Sequence, residues 1–357
     1  MHDNCIRYLV SPITRKKLQQ KGDSLHTQDQ SESYQIINDI PILLTDGSAA
    51  TYHREIMEVL FWQFPGKVDE WYAEWDHASW PYDSFKKYIS TYLKDKNGII
   101  SAIQSYSQAG TRKWIIQHPT EPVSTYEIDT FNRRSAEKYA VDMVMSTRDT
   151  ENKRFDSQYL PKYTDLIHAA RPSVIVELST GAGMGTAAVA DKKASDCIMF
   201  TLDISYGCHG NAVGIADYLD IRNSLFPVCA NFWYCPFADQ SVDVVCSCYG
   251  LDESRETPST ISEVSRMLKK GGNFVNVSIS SALWRQYELF KQYGFSYDET
   301  KELMKVARLY CDTDELINEC SKHGLELKER YLTNECNDYR ALIDFPYDCE
   351  VTFFNRI

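Results

Sequence analysis

A glycine-rich turn that directly follows a short apolar run is the feature that most constrains how this chain can fold. The run is Val174–Leu178, and the turn reads Ser-Thr-Gly-Ala-Gly-Met-Gly at residues 179–185. A short apolar run bounded by turn residues predicts a buried strand, and glycines let the backbone turn sharply. A strand, such a turn and a following helix form the first part of a βα unit, so this stretch predicts an α/β domain.

The same alternation continues through the C-terminal part of the chain, from about residue 161 to residue 357. Apolar runs predict strands at Val174–Leu178, Ile198–Asp203, Leu225–Ala230, Val242–Cys248, Phe274–Ser278, Leu325–Leu332 and Glu350–Phe354. Amphipathic stretches predict helices at Thr186–Lys193, Ala212–Ile221, Thr260–Leu268 and Asp314–His323. Strands that alternate with helices indicate a mainly parallel sheet with helices on both faces.

Two further units precede this domain. Residues 1–48 end in a hairpin pattern at Tyr34–Leu44 with a turn at Asn38-Asp39, and they predict a small β-rich domain. Residues 49–160 predict a mostly helical cap or linker segment. We expect it to cover the pocket of the C-terminal domain, although a structural spacer fits the pattern too. Apolar residues recur at helical spacing in 54–64, 84–93 and 135–145.

Charge and cysteine content narrow the classes of partner. The net charge is -12, and an acidic surface repels phosphate backbones, so we expect no nucleic-acid partner. No apolar run has the length of a membrane span, and the first residues lack a basic start, so we expect no membrane partner. The 11 cysteines form no Cys-x-x-Cys pair, which is typical of reduced thiols in a cytoplasmic protein.

Three more sequence elements follow the glycine-rich turn in order. Asp203 ends the second predicted strand, and Asn231 and Phe232 follow the third. Residues 236–245 read Pro-Phe-Ala-Asp-Gln-Ser-Val-Asp-Val-Val, and residues 263–272 read Glu-Val-Ser-Arg-Met-Leu-Lys-Lys-Gly-Gly. A carboxylate at the position of Asp203 can accept hydrogen bonds from both ribose hydroxyls of a nucleoside.

In their order and spacing, these elements resemble the class I S-adenosylmethionine-dependent methyltransferases that act on small molecules. The resemblance covers about residues 161–357. It implies a Rossmann-like seven-stranded methyltransferase sheet, S-adenosyl-L-methionine as the cofactor, and an enzyme that could serve a biosynthetic pathway. Ser179 stands where the family commonly has glycine, and Asn231 where it commonly has aspartate.

The resemblance also assigns cofactor-binding positions. It implies that Glu177 lies near the methionine moiety, whose ammonium group needs negative charge nearby. Dinucleotide sites usually run from the apolar strand straight into glycine, and Thr186 replaces the third glycine of their fingerprint. The expected cofactor-binding residues are Glu177, Ser179, Gly181, Gly183, Asp203, Ile204, Asn231, Phe232 and Tyr249.

The residues that act on the acceptor are less tightly specified. Asp252 and Glu253 follow the fourth predicted strand, and either could be a general base or simply the start of a helix. His209 could reach the site or hydrogen-bond within its loop. Core packing explains the substrate-binding candidates about equally well: Tyr159, Trp284, Tyr287 and Tyr310.

The N-terminal unit resembles the small, zinc-ribbon-derived domain that activates several methyltransferases. The resemblance rests on Leu9–Thr14, on Leu18 and on the ending at Tyr34–Leu44. Ser11 and Thr14 stand near the positions where zinc-bearing relatives have cysteine. Tetrahedral zinc needs four Cys or His ligands, so we expect no metal.

Several functions remain open. The leading hypothesis is methyl transfer to O, N or C of a small molecule or peptide. An NAD-dependent oxidoreductase would use the same kind of turn and the same Asp203. A third class is a non-catalytic protein that keeps the fold, or one that docks a partner through its N-terminal unit. A homodimer is a further expectation about partners.

Overall fold

The structure is a computed structural model that describes part of the chain. The described residues are 3–44, 95–100, 123, 125–148, 155–251, 257–279, 287–288, 290–307, 313–333, 336–337, 346–347 and 349–357. The helices that the sequence predicts at 54–64 and 84–93 lie outside these residues.

The helices and strands are numbered in chain order. The strands are β1 Leu18–Lys21, β2 Ser24–Thr27, β3 Ser33–Ile37, β4 Ile40–Leu43, β5 Val174–Leu178, β6 Ile198–Asp203, β7 Leu225–Ala230, β8 Val242–Cys248, β9 Leu268–Ile279, β10 Leu325–Leu332, β11 Cys336–Asn337, β12 Pro346–Tyr347 and β13 Cys349–Arg356. The α-helices are α1 Asp3–Ile6, α2 Thr125–Arg134, α3 Glu137–Arg148, α4 Phe155–His168, α5 Met184–Lys192, α6 His209–Tyr218, α7 Thr257–Met267, α8 Tyr297–Ala307 and α9 Thr313–Lys322. Short 3-10 turns lie at Tyr206–Cys208, Phe232–Tyr234 and Lys291–Tyr293.

The main sheet has the order β1-β2-β3-β4-β7-β6-β5-β8-β9-β13-β10. Strands β7, β6, β5, β8 and β9 are parallel, and β13 runs antiparallel between β9 and β10. The strand order reverses between the neighbouring strands β5 and β8: β6 and β7 lie on one side of this point, and β9 lies on the other. In open α/β sheets, ligands bind in the crevice at the carboxyl ends of the strands at such a point. The α/β Rossmann-like fold predicted from the sequence is confirmed.

The N-terminal hairpin joins this sheet. Asn38 and Asp39 connect β3 and β4 with φ of 49° and 64°, as a two-residue type I′ turn requires. Strand β4 then pairs in parallel with β7, matching Ile42 with Cys229 and Leu43 with Ala230. The seven strands predicted for the methyltransferase sheet are therefore present, and the four N-terminal strands extend the same sheet to 11 strands.

Two apolar cores flank the central strands. Val174, Val176 and Leu178 of β5 belong to one core, and Ile175 belongs to the other, because successive side chains of a strand point to opposite faces. Helices α7 and α9 cover the first face, and α4, α5 and α6 cover the second. A sheet that is covered by helices on both faces is typical of a doubly wound α/β fold.

The described part of the region 49–160 is helical. Helix α3 matches the helix predicted at 135–145, and α4 runs across the predicted boundary at 160–161. Within the described residues, no helix combines the length and apolar character needed to cross a membrane.

Candidate functional site

The glycine-rich turn between β5 and α5 has a left-handed backbone at three positions. The φ angles of Ser179, Gly181 and Gly183 are 68°, 48° and 88°. A Cβ at Gly183 would lie 2.9 Å from the Cβ of Asn211, so only glycine fits there. Ser179 adopts the same region without being glycine, which costs about 1–2 kcal/mol for an L-residue. This departure from the family pattern is therefore accommodated under strain.

Glu177 is the last charged side chain before this turn, and it is completely buried. Thr186 donates its hydroxyl to Glu177 Oε2, and Glu177 Oε1 has no hydrogen-bond partner. A Cβ at Gly185 would lie 2.6 Å from Oε1, so this oxygen lies against the first turn of α5. Burial raises the pKa of Glu177 to about 8, with a smaller contribution from the charge of Asp203. A cation beside Oε1 would reverse that effect.

Asp203 connects the end of β6 to the glycine-rich turn. Gly181 N donates to Asp203 Oδ2 at 2.8 Å, and Ser205 N donates to Oδ1 at 2.9 Å. Burial raises the pKa of Asp203 to about 6. Each carboxylate oxygen has a second lone pair, so both can still accept from a ligand hydroxyl. Ile204 follows, and its carbonyl accepts the thiol of Cys229.

Asn231 directly follows β7, and only the oxygen of its side-chain amide has a hydrogen-bond partner. Its Oδ1 accepts the backbone N–H of Trp233 at 2.9 Å, and its buried Nδ2 has no partner. Since the oxygen is fixed by an N–H donor, the group left to meet a ligand is a donor. Phe232 is half-buried and packs against the core shared with β7.

Tyr249 follows β8 with a φ of 64°. Its ring meets Tyr159 of α4 edge-on at 5.4 Å between centroids, and its hydroxyl lies 3.1 Å from Cys349 Sγ. The Tyr159 hydroxyl lies 3.7 Å from Met184 Sδ, and the Tyr159 side chain is fully buried. Tyr159 therefore lies between Tyr249 and the start of α5, and it is buried rather than exposed.

His209 is buried at the first position of α6, and its Nε2 lies 3.2 Å from the carbonyl oxygen of Asp203. Burial lowers its pKa to about 4, so the ring is neutral at pH 7. This geometry provides the hydrogen bond within a loop that the sequence offers as the alternative to catalysis. Tyr287 packs edge-on against Tyr297 at 5.6 Å. The other candidates, Asp252, Glu253, Trp284 and Tyr310, lie outside the described residues.

Three further residues touch the same loops and were missed from the sequence. Asn211 donates Nδ2 to Gly181 O at 2.6 Å, and Tyr139 donates its hydroxyl to Ala182 O at 3.3 Å. Glu127 of α2 hydrogen-bonds the loop after β6. Asn211 and Tyr139 are isolated polar residues in helical patterns, and Glu127 lies in a region without a recognisable motif.

The N-terminal unit has a polar network around Ser11. Ser11 is buried, and its Oγ accepts the backbone N–H groups of Ile13 and Thr14 at 3.0 and 2.9 Å. The same hydroxyl hydrogen-bonds Glu32, and Tyr34 lies 3.2 Å away. In the described residues, no group of three or more His, Cys, Asp or Glu side chains could hold a metal ion.

Residues 176–276, from β5 into β9, match the family model described as a methyltransferase domain. This match supports the class I methyltransferase resemblance of the C-terminal part of the chain. All nine residues predicted to bind the cofactor lie within this segment.

Several solved structures are similar to the methyltransferase domain and its surroundings. The N-methyltransferase NodS from Bradyrhizobium japonicum WM9 is 16% identical, covers 58% of this chain and 98% of its own, and has a TM-score of 0.41. A geranyl diphosphate methyltransferase in complex with SAM is 14% identical, and the match covers 57% of this chain and 86% of that chain, with a TM-score of 0.44.

A chain from the complex of the Haloferax volcanii Trm112 methyltransferase activator with a methyltransferase is 19% identical. The match covers 62% of this chain and 96% of that chain, with a TM-score of 0.39. No curated protein matches the sequence. At these identities and TM-scores, none of the likenesses indicates a substrate.

Proposed function

We propose that this protein transfers the methyl group of S-adenosylmethionine to an O, N or C atom of a small molecule or peptide. The unpaired Oε1 of buried Glu177 carries the proposal. A carboxylate in an apolar interior is costly unless a cation or hydrogen-bond donors meet it. The methionine part of the cofactor has an ammonium group, which supplies both.

The other described residues of the turn fit the rest of this cofactor. The glycine-rich turn leaves the backbone free of side chains beside the ligand. Asp203 retains lone pairs for the ribose hydroxyls, and Asn231 offers a buried donor to the adenine edge. The bound cofactor would supply an activated sulfonium methyl group, so the protein's task is to orient the acceptor and exclude water.

The acceptor side of the reaction has several candidate residues. Tyr249 packs against Tyr159, which contacts the start of α5, and the two rings together can exclude water from the site. A hydroxyl or ammonium acceptor needs a general base. Asp252 and Glu253 follow β8 in the sequence and remain the candidates for that role. His209 is a weaker candidate, because it is fully buried.

Glu177 also separates this proposal from NAD-dependent oxidation. Thr186 stands at the third glycine position of a dinucleotide fingerprint, and its hydroxyl donates a hydrogen bond to Glu177. Dinucleotide sites usually run from the strand straight into glycine, without a carboxyl at the position of Glu177. An ammonium group can pair with that carboxyl in its ionised form, whereas Asp203 would serve the ribose of either cofactor.

We also propose that residues 1–48 stabilise the methyltransferase domain in cis. The support is their direct attachment to the loop that follows β7. Val10 N donates to Pro236 O at 2.9 Å, and Ala238 N donates to Tyr8 O at 3.0 Å. Arg15 donates to Cys235 O at 2.7 Å and pairs with Glu263 at 2.9 Å.

The substrate class and cellular setting follow from charge and composition. With a net charge of -12, the protein is expected to act on a metabolite or peptide rather than on nucleic acid. The absence of Cys-x-x-Cys pairs agrees with reduced thiols in a cytoplasmic enzyme.

A labelling experiment tests the transfer itself. The protein is incubated with S-adenosylmethionine that carries a tritiated methyl group, together with separate low-molecular-mass, peptide and RNA fractions of a cell extract. The proposal predicts label in the low-molecular-mass or peptide fraction, with loss of transfer in the Glu177→Ala variant. Label in RNA alone would contradict the substrate class, and no transfer to any fraction would favour a non-catalytic protein.

A further inference from the structure

Helix α2 contributes a buried carboxylate to the loop that follows β6. Glu127 is 3% exposed. Ser205 donates its hydroxyl to Glu127 Oε1 at 3.1 Å and to Oε2 at 3.0 Å, and Gly207 N donates to Oε2. Helix α2 lies before residues 176–276, which match the methyltransferase family. The contact therefore joins a part of the chain outside the family match to a loop inside it.

Ser205 connects Glu127 to Asp203. Its hydroxyl is hydrogen-bonded to Glu127, whereas its backbone N–H is donated to Asp203 Oδ1 at 2.9 Å. The other oxygen of Asp203 accepts Gly181 N at 2.8 Å. A continuous series of hydrogen bonds thus runs from α2 to Asp203 and on to the glycine-rich turn.

The sequence keeps α2 close enough for this contact by placing glycines opposite it. A Cβ at Gly207 would lie 2.8 Å from Glu127 Oε2, and a Cβ at Gly210 would lie 2.3 Å from the backbone oxygen of Phe131. Any larger residue at Gly210 would push α2 away from α6. The approach of α2 to this loop therefore depends on residues inside the methyltransferase domain itself.

Burying a carboxylate is an inefficient way to hold a helix in place. A buried charged group gains little net stability compared with an apolar side chain of similar size. Leucine at this position would pack α2 without any desolvation of charge. The distinctive property of a carboxylate here is that it accepts several hydrogen bonds and so fixes the orientation of Ser205 and Gly207.

We propose that Glu127 is a positioning residue for the cofactor's ribose, which acts through Ser205 to hold Asp203 in the orientation that accepts the ribose hydroxyls. This inference rests on the proposed function. Without Glu127, the loop after β6 loses the acceptor for Ser205 and Gly207, and Asp203 becomes free to turn. Cofactor affinity then falls, while the fold of the sheet stays intact.

Calorimetric titration of the full chain with S-adenosylhomocysteine tests the inference. The variants are Glu127→Leu, which removes the acceptor, and Glu127→Gln, which still offers one acceptor oxygen. Glu137→Gln on the exposed start of α3 is the matched control. We expect about tenfold weaker binding for Glu127→Leu, a smaller loss for Glu127→Gln and none for Glu137→Gln. Ser205→Ala, which removes only the connecting hydroxyl, should weaken binding in the same direction.

A second ligand separates positioning from a general structural effect. S-adenosylhomocysteine that lacks both ribose hydroxyls cannot use Asp203, so Glu127→Leu and Ser205→Ala should bind this analogue as the wild type does. Equal losses for both ligands, or no loss for either, would overturn the inference. If Glu127→Leu does not fold, Ser205→Ala and Glu127→Gln decide the result. A wild-type protein that binds neither ligand would remove the proposed function, and this inference with it.

Discussion

Glu177 determines the chemistry of the site because its two oxygens have different environments. Oε2 accepts the hydroxyl of Thr186, and Oε1 is buried without a partner. In the free protein, burial raises the pKa of this carboxyl to about 8, so the group is mostly protonated at pH 7. An ammonium group at Oε1 favours the ionised form and lowers the pKa again. We therefore expect cofactor binding to be coupled to the release of a proton.

The first prediction is that binding of S-adenosylhomocysteine at pH 7 releases close to one proton. Because the pKa of Glu177 falls when the ligand binds, affinity should rise with pH up to about 8. Calorimetry in two buffers of different ionisation enthalpy measures the number of protons released. Glu177→Gln should release none and bind more weakly. Equal proton release by this variant and the wild type would show that another group titrates.

The same carboxyl affects the stability of the free protein. Its pKa in the folded state lies above the ordinary value of 4.5, so the folded state binds the proton more tightly than the unfolded state. The stability that this group contributes is present below pH 4.5 and is lost as the pH rises through about 8. Added ligand should therefore raise the melting temperature more at pH 8 than at pH 6.

For single residues of the site, the sequence predicted the neighbourhood of those that lie close to the glycine-rich turn. Glu177, Gly181 and Gly183 follow one another in a recognisable motif, so their neighbourhood could be inferred without coordinates. Glu127 contacts Ser205 across 78 residues of sequence. A single polar residue in an unrecognised helix gives no sign of so distant a partner.

Helices α2 and α3 pack against α6, which follows the loop that contains Asp203. Gly210 and Gly214 lie on the side of α6 that faces these helices. The two glycines differ in how closely the neighbouring helix approaches. At Gly210 the nearest atom to an added Cβ would be the Phe131 backbone oxygen at 2.3 Å. At Gly214 the nearest atoms would be Ala140 Cβ and the Arg134 backbone oxygen, both at 3.3 Å.

The second prediction compares alanine at these two positions of one helix. Gly210→Ala should lower the free energy of unfolding by about 1–3 kcal/mol, because a backbone atom cannot move aside cheaply. Gly214→Ala should be within about 1 kcal/mol of the wild type, because helix propensity favours alanine and the neighbour needs to move only slightly. Urea denaturation of both variants measures the difference. Equal stability of the two variants would contradict the close packing of α2 on α6.

The strands were predicted more accurately than the helices, and the reason is physical. Strands β5 to β8 are buried on both faces, so they appear as continuous apolar runs between turn residues. Helix α6 begins at His209 rather than at the predicted Ala212, because glycines in its first turns weaken the helical pattern. Helices α2 and α4 were not predicted individually. Their position depends on packing against distant parts of the chain, which a local sequence pattern does not show.

The molecule as a whole is organised around one extended sheet. The N-terminal strands continue it beyond β7. Side chains of the N-terminal unit share a core with the methyltransferase strands, as Leu9 and Leu25 do with Phe200 and Phe226. The sequence predicted the hairpin but not its pairing with β7. Two short strands give no signal for which edge of a sheet they will join.

The third prediction concerns this shared core. Deletion of residues 1–48 should expose the apolar surface around Phe200 and Phe226 and leave β7 as an open edge, so solubility and melting temperature should fall. Light scattering and thermal unfolding measure the two effects. A truncated protein that stays soluble and melts at the same temperature would contradict a stabilising role in cis.

The most direct test of the central claim is calorimetric titration of the full chain with S-adenosylhomocysteine, with NAD titrated in parallel. Glu177, Asp203 and Asn231 together predict micromolar binding of S-adenosylhomocysteine and no detectable binding of NAD. Binding of NAD alone would contradict the proposed cofactor. Binding of neither ligand would leave a methyltransferase fold without its expected ligand and would favour a non-catalytic role.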